Sequence, residues 1–304
     1  VCVNAYRCKY VCAALALWFV VMIGCRTVEK VIAPSNFRDW TPEQAVLPYA
    51  EYDKGVGSLL PERPDGRCAQ KTPDPFVVTV RNVRNCQYFA EDTFLVDYYD
   101  KTFDLTAVRG VDFIIVPFET TPSLAHTMLS FEIARPDGGV DHLAVSVEVR
   151  KEKNEAYNPV KGSARQYELM YVVADERDVI RQRTNYRDEQ VYLYRTVATP
   201  ETARLLLVDV LGRVNELAAR PEFYDTLTNN CTTNIVRHID RIRPNRLAYD
   251  VRLLLPGYSD KIAFEQGLIV PYGTFEQTRE RAHVNPLAER YADRDDFSER
   301  IRRR

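Results

Sequence analysis

The sequence predicts an α+β fold, a mostly antiparallel sheet packed with helices, and two observations carry that prediction. Six runs of β-branched and aromatic residues are each bounded by turn residues. A long segment after them repeats its apolar residues at helical spacing. No internal repeat or low-complexity stretch interrupts the pattern, and 304 residues, 45% of them hydrophobic, suffice for one large core.

Before the first strand, the chain reads as an address and a lead-in. Arg7 and Lys9 precede an apolar stretch over 11–24, short for a bilayer span but suited to the hydrophobic region of an export signal. It closes on Met22-Ile23-Gly24-Cys25, which resembles a bacterial lipobox, so Cys25 is the expected lipid attachment point. The alternatives are an uncleaved membrane anchor and an ordinary signal peptide cut nearby. Residues 1–24 are thus assigned to the signal or anchor. Residues 25–75, rich in proline with little apolar periodicity, form an extended lead-in.

The expected strands are 76–83, 112–118, 126–133, 140–150, 165–174 and 191–197. Between the third and fourth, Arg135-Pro136-Asp137-Gly138-Gly139 marks a hairpin turn. The surest helix is 200–220, with Ala203, Leu206, Leu207, Val210, Leu211, Val214, Leu217 and Ala218 at helical spacing, Thr199 as N-cap and Pro200 in the first turn. A second helix starts near Cys231, and shorter ones are expected over 249–255 and 261–266. The main domain is therefore 76–285, followed by a charged tail over 286–304 that reads as solvated.

Composition narrows function. Lys and Arg number 41 against 43 Asp and Glu, which gives no basic footprint for nucleic acid. Seven cysteines show no metal-ligand spacing. Export removes Cys2, Cys8 and Cys12. Cys68 and Cys86 are candidates to pair in an oxidising compartment, which with a lipidated Cys25 leaves Cys231 as the free thiol.

Thr228-Asn229-Asn230-Cys231-Thr232-Thr233-Asn234 places that cysteine where a polar loop becomes an apolar-periodic helix. A thiolate at a helix start is stabilised by the dipole and by unpaired N–H groups, which also suit an oxyanion. A nucleophile of this kind needs an imidazole base. His283 lies in the tail and His238 about two turns along the helix, out of reach of Cys231. His126 and His142 remain. If the hairpin is symmetric about Asp137, His126 faces Glu148 and His142 faces Glu132. His126 then shares a face with Met128, Ser130, Ala144 and Ser146, small or polar residues that can receive a helix end. Leu129, Phe131, Val145 and Val147 point into the core on the other face.

These steps assign Cys231 as nucleophile, His126 as base and later acid, and Glu148 as the carboxylate that fixes the imidazole. For Glu148 the alternative is a strand-face charge paired with Arg150 or Lys151, and a bulge would exchange the roles of His126 and His142. Arg177, Asp178, Asn185 and Tyr186 follow a strand as either a structural loop or a groove wall.

Several ordered motifs are similar to those of the Lnb N-terminal periplasmic domain family. They are Asn36-Phe37-Arg38-Asp39-Trp40, Val80-Arg81-Asn82-Val83-Arg84-Asn85, His126-Thr127-Met128-Leu129-Ser130-Phe131, Ser146-Val147-Glu148-Val149-Arg150-Lys151-Glu152, Tyr171-Val172-Val173-Ala174-Asp175-Glu176-Arg177-Asp178 and Asn229-Asn230-Cys231-Thr232-Thr233-Asn234. The resemblance spans 36–268. The family takes its name from bacterial lipoprotein N-acyltransferases, in which such a domain joins a membrane-embedded region. The motif order also resembles circularly permuted papain-like enzymes, including the lecithin:retinol acyltransferase-like proteins that pass acyl groups through a Cys thioester.

The resemblance implies a permuted papain-like fold and a thiol acyltransferase or hydrolase at the bacterial cell envelope, on the periplasmic side. It would act on a lipid or acylated substrate at the membrane surface and need no metal or organic cofactor. A cell-wall amidase or peptidase and a non-catalytic binding module are the other readings. After Gly24 no stretch is apolar for long enough to span a bilayer, unlike the acyltransferases that gave the family its name.

Overall fold

The computed structural model describes residues 33–53 and 77–303, except 244–246, 248, 249, 251, 253 and 254. The expected signal, the lipid-attachment residue Cys25 and the proposed disulfide partner Cys68 lie outside the described residues. Cys86 itself is a buried free thiol.

The strands in chain order are β1 (Tyr49–Tyr52), β2 (Val77–Arg84), β3 (Gln87–Ala90), β4 (Thr93–Leu95), β5 (Tyr98–Asp104), β6 (Val108–Phe118), β7 (Thr121–Ala134), β8 (Val140–Arg150), β9 (Glu168–Asp175) and β10 (Tyr192–Arg195). Eight of them form one sheet in the order β1-β2-β9-β8-β7-β6-β10, with β5 also on β2, while β3 and β4 form a small hairpin. The large sheet is mixed but mostly antiparallel, since only β2 and β9 run parallel. The expected α+β class is what the structure has. Strands β1, β3, β4 and β5 were not anticipated, because most of their residues are exposed or half-buried and β1, β3 and β4 are only three or four residues long.

The β7–β8 hairpin has the expected register, with Glu132 opposite His142 and Met128 opposite Ser146. Its turn closes through the Arg135 N–H to the Gly139 carbonyl, 2.8 Å, and Gly138 at φ +85° takes a left-handed backbone that a side chain would strain.

The helices are α1 (Pro159–Ser163), α2 (Glu176–Arg181), α3 (Pro200–Ala219), α4 (Cys231–Ile242), α5 (Ser259–Glu265), α6 (Phe275–Ala282), α7 (Asn285–Arg290) and α8 (Phe297–Arg300). Thr199 caps α3 by accepting from the Thr202 N–H, as its position before Pro200 predicts. The expected helix over 249–255 falls largely outside the described residues.

Both faces of the sheet are covered. On one, Leu129, Phe131, Val145 and Val147 pack with Leu207, Leu211 and Val214 of α3 and Ile235 of α4. On the other, Met128, Ala144, Met170 and Val172 meet Val179 and Ile180 of α2 and Val284, Phe297 and Ile301 from the chain end. Alternating strand residues are therefore apolar on both sides, which blurs the inside–outside distinction that alternation normally reports.

Two boundaries change. The described part of the lead-in packs on the domain: Trp40 is buried beneath the Arg150 guanidinium, and β1 joins the sheet. The tail expected to be solvated is docked. Phe297 and Ile301 are buried, and Arg302 pairs with Asp112 and Glu176, two carboxylates that are themselves buried. Ala288, Phe297 and Ile301 suffice to anchor this charged segment because its key arginine has buried partners. Phe297→Ala is expected to cost about 3–5 kcal/mol, the usual range for emptying a buried aromatic site, and a urea melt reads it directly.

Candidate active site

The loop before α4 is held by its own side chains. Asp225 and Asn229 exchange backbone hydrogen bonds, and the Asp225 carboxylate accepts from the N–H groups of Leu227 and Thr228. Asn230 then closes a capping box: its side chain accepts from the Thr233 N–H, and its own N–H donates to the Thr233 hydroxyl. Cys231 is the first residue of the helix. The cap leaves the N–H groups of Cys231 and Thr232 without an acceptor among the described residues. These two donors point out of the helix start, where a negative charge is favoured.

α4 packs on the β7 face of Ala125, Thr127 and Leu129, with Thr127 and Thr232 hydroxyls 3.1 Å apart. The Cys231 sulfur lies 3.9 Å from the Ala125 carbonyl oxygen. This corrects the expectation that the small-residue face of His126 receives the helix end. That face is filled by α2 and the chain terminus, so nucleophile and base come from opposite sides of the sheet.

They open on one cleft because the sheet forks. Pairing between β7 and β8 ends at Met128 and Ser146. Beyond that point β7 stays with β6 as far as Phe118, and β8 stays with β9 as far as Arg150. The strands part, and a cleft of about 210 Å³ opens between them, lined by Ala125, His126, Glu148, Arg183, Arg187 and Cys231 among others.

All three residues expected from the sequence thus line one cleft. Their connections differ in two respects: the Cys231 sulfur makes no hydrogen bond to His126, its contacts being the Ala125 carbonyl and the Thr232 hydroxyl, both at 3.9 Å, and the imidazole reaches Glu148 through Ser146. His126 Nε2 is 2.6 Å from the Ser146 hydroxyl, which donates to Glu148 Oε1 at 2.8 Å, whereas Nε2 and Oε1 are 4.0 Å apart. A serine that donates to the carboxylate accepts from Nε2–H, so Nδ1 is the basic nitrogen. Glu148 pairs with neither Arg150 nor Lys151. It accepts from Gln44 Nε2 at 3.2 Å and lies 3.5 Å from Arg183.

The electrostatics follow from burial and from three arginines. Burial, then the Arg183 charge, depress the His126 imidazole to a pKa of about 3 against the opposing pull of Glu148, and Arg187 adds to the depression. The base is therefore uncharged at neutral pH. Burial alone would raise the Glu148 carboxyl, but Arg84, Arg183, His126 and the Ser146 hydrogen bond hold it at about 2.

Both shifts have the same sign for stability. An unfolded chain protonates His126 near its ordinary 6.5 and Glu148 near 4.5, before the folded chain does, so protons favour unfolding. Stability is expected to fall as pH drops from 6.5 toward 3, and again below 4.5 through the carboxylate. Urea midpoints between pH 7 and pH 4 test this. The slope should flatten in His126→Ala but not vanish, because burial also lowers His142 and His238.

Three features escaped the sequence reading. Ser146 was legible only as a residue on the same strand face as His126 and Glu148. Arg183 lies in, and Arg187 caps, a single π-helical turn, Gln182–Tyr186, that continues α2 into the cleft, and the polar segment that holds it carried no distinctive spacing. His238, set aside as too far from Cys231, is indeed separate. It is buried on the inner face of α4, between Asp209 at 2.5 Å and the Tyr171 hydroxyl at 2.7 Å. His142 is buried opposite Glu132 and away from the cleft. Asp178, read as loop or groove wall, is a buried partner of Arg84. No group of three or more His, Cys, Asp or Glu among the described residues is placed to hold a metal ion.

This defines a class: a mixed-sheet α+β domain with a capped helix-start cysteine and a strand histidine opening on one cleft. The sequence model of the Lnb N-terminal periplasmic domain matches residues 95–257, more than half the chain and inclusive of Cys231, His126 and Glu148. The chain belongs to that family, whose description places the domain in the periplasm. No curated protein and no solved structure matches it. Among the described residues no helix is long and apolar enough to cross a membrane.

Proposed function

We propose that the chain is an exported thiol acyltransferase or hydrolase of the bacterial cell envelope, permuted papain-like in fold and lipid-anchored through Cys25. The observation that carries this reading is the cleft at the sheet fork, where Cys231 at a capped helix start and His126, tied through Ser146 to Glu148, line the same space.

In this reading Nδ1 of His126 takes the thiol proton, and the sulfur attacks the carbonyl carbon of an ester or amide. The N–H groups of Cys231 and Thr232 receive the oxyanion. As the tetrahedral intermediate collapses, the carbon–oxygen or carbon–nitrogen bond breaks and the leaving group carries away the proton from Nδ1. An acyl thioester remains on Cys231. Water or an amine then attacks it with His126 again as base, and the thiol is regenerated.

An aliphatic acyl group is favoured by a second cavity of about 320 Å³ along α4. Phe113, Leu129, Leu206, Ile235 and Ile239 line it, and Thr232, next to the nucleophile, stands in its wall. The test is intact-mass spectrometry after incubation with a short-chain diacyl glycerophospholipid and, separately, with peptidoglycan fragments. An acyl adduct on Cys231 from the lipid is the expected result. An adduct from the fragments alone would favour a cell-wall amidase, and none from either would leave a binding module.

A further inference from the structure

One guanidinium of the cleft has no ion pair among the described residues, although cations and carboxylates of the lining balance in number once Arg84 is set aside. Arg84 is fully engaged by Asp178, with contacts from 2.7 to 3.2 Å. Arg183 lies 3.5 Å from Glu148 and 3.9 Å from Glu189. Glu43 and Lys151, also in the lining, have no ion pair among the described residues, but their charges cancel. Arg187 remains. It is half-buried, lines the same cleft as Cys231 and His126, and its guanidinium pairs with no carboxylate among the described residues.

The acids nearest Arg187 in the chain do not serve it. Asp188 is exposed, with a left-handed backbone at φ +53°, and Glu189 is drawn toward Arg183. Position adds a second argument. Arg187 ends the π-helical turn, its N–H bonded to the Gln182 carbonyl, and such turns are costly and recur at functional sites. Its charge is felt at His126, which places it near the base. A half-buried guanidinium without a partner sacrifices hydration that an anion would restore, and its planar fork suits a two-oxygen anion.

We propose that Arg187 is a specificity-determining residue that receives an anionic oxygen group of the substrate, a phosphate or a carboxylate, beside the carbonyl attacked by Cys231. This rests on the thiol-enzyme reading for its meaning, but its test does not. The site takes the anion in the cleft, and Arg183 stays with Glu148.

The experiment compares alkylation of Cys231 by iodoacetate and by iodoacetamide, reagents of similar size that differ by one negative charge. In both, sulfur displaces iodide at the same carbon. The ratio of the two rates is read by peptide mass spectrometry in wild type, in Arg187→Gln and in Arg109→Gln. Arg109 is an exposed charge at the other end of β6, so it controls for net charge alone.

Wild type and Arg109→Gln should share a ratio that is roughly five- to tenfold above that of Arg187→Gln, the size expected for one unit charge at short range in a partly hydrated cleft. Equal ratios in wild type and Arg187→Gln overturn the proposal, however fast or slow Cys231 reacts. Equal iodoacetamide rates in wild type and in a His126→Ala variant run alongside would instead sink the thiol-enzyme reading and leave the ratio readable. Protection of Cys231 from iodoacetamide by sn-glycerol 3-phosphate would assign the anion to a phosphate headgroup, and protection by N-acetylglycine to a carboxylate.

Discussion

His126→Ala is expected to slow acyl-enzyme formation roughly 100- to 10,000-fold, the range for losing a positioned base. Stopped-flow release of p-nitrophenol from a short-chain ester measures it, with Cys231→Ala as the blank. Ser146→Ala should fall between that variant and wild type, because the imidazole keeps its place on β7 but loses the acceptor that fixes Nε2–H. Glu148→Gln should resemble Ser146→Ala, since the carboxylate acts on the imidazole through that hydroxyl. If Ser146→Ala and Glu148→Gln were additive rather than redundant, the relay would not operate as a chain.

Arg84→Ala is expected to destabilise the fold by about 3–5 kcal/mol, because it strands a fully buried carboxylate. The Arg84 and Asp178 side chains are 4% and 0% exposed. Without the guanidinium, the Asp178 carboxylate keeps, among the described residues, the Cys86 N–H at 2.7 Å and the Tyr88 hydroxyl at 3.4 Å. Urea denaturation at pH 7 measures the loss. An apolar double replacement, Arg84→Met with Asp178→Leu, should recover much of it, as removing both charges leaves nothing unpaired. The single variant also links fold to site. Arg84 heads the charges that hold the Glu148 carboxyl down, so that carboxyl should titrate higher in Arg84→Ala.

The parts of this site that the sequence announced are the ones governed by local rules. Gly138 and Asp137 fix a tight turn, and the turn fixes which residues of β7 and β8 face each other, so Glu132 and His142 could be paired on paper. The polar loop before Cys231 announced a helix start there, and in the structure Asn230 and Thr233 close that start as a capping box within four consecutive residues.

What was hidden depends on tertiary layering. Because apolar residues occupy both faces of the sheet, alternation identified the residues that His126 accompanies but not the helix that covers them. The fork that reunites the two faces depends on β6 and β9, which draw β7 and β8 apart, and no single strand encodes it. The docked terminus was obscured in the same way. Arg302 reads as a solvated charge until Asp112 and Glu176, each more than a hundred residues away, appear beside it.

The central claim is that His126 activates Cys231, and the rate of Cys231 modification by iodoacetamide at pH 7 tests it most directly, in wild type and in His126→Ala. The account predicts a thiol that reacts much faster than an unactivated cysteine, with that advantage lost in the variant. A Cys231 that reacts slowly and at the same rate in both proteins would contradict it.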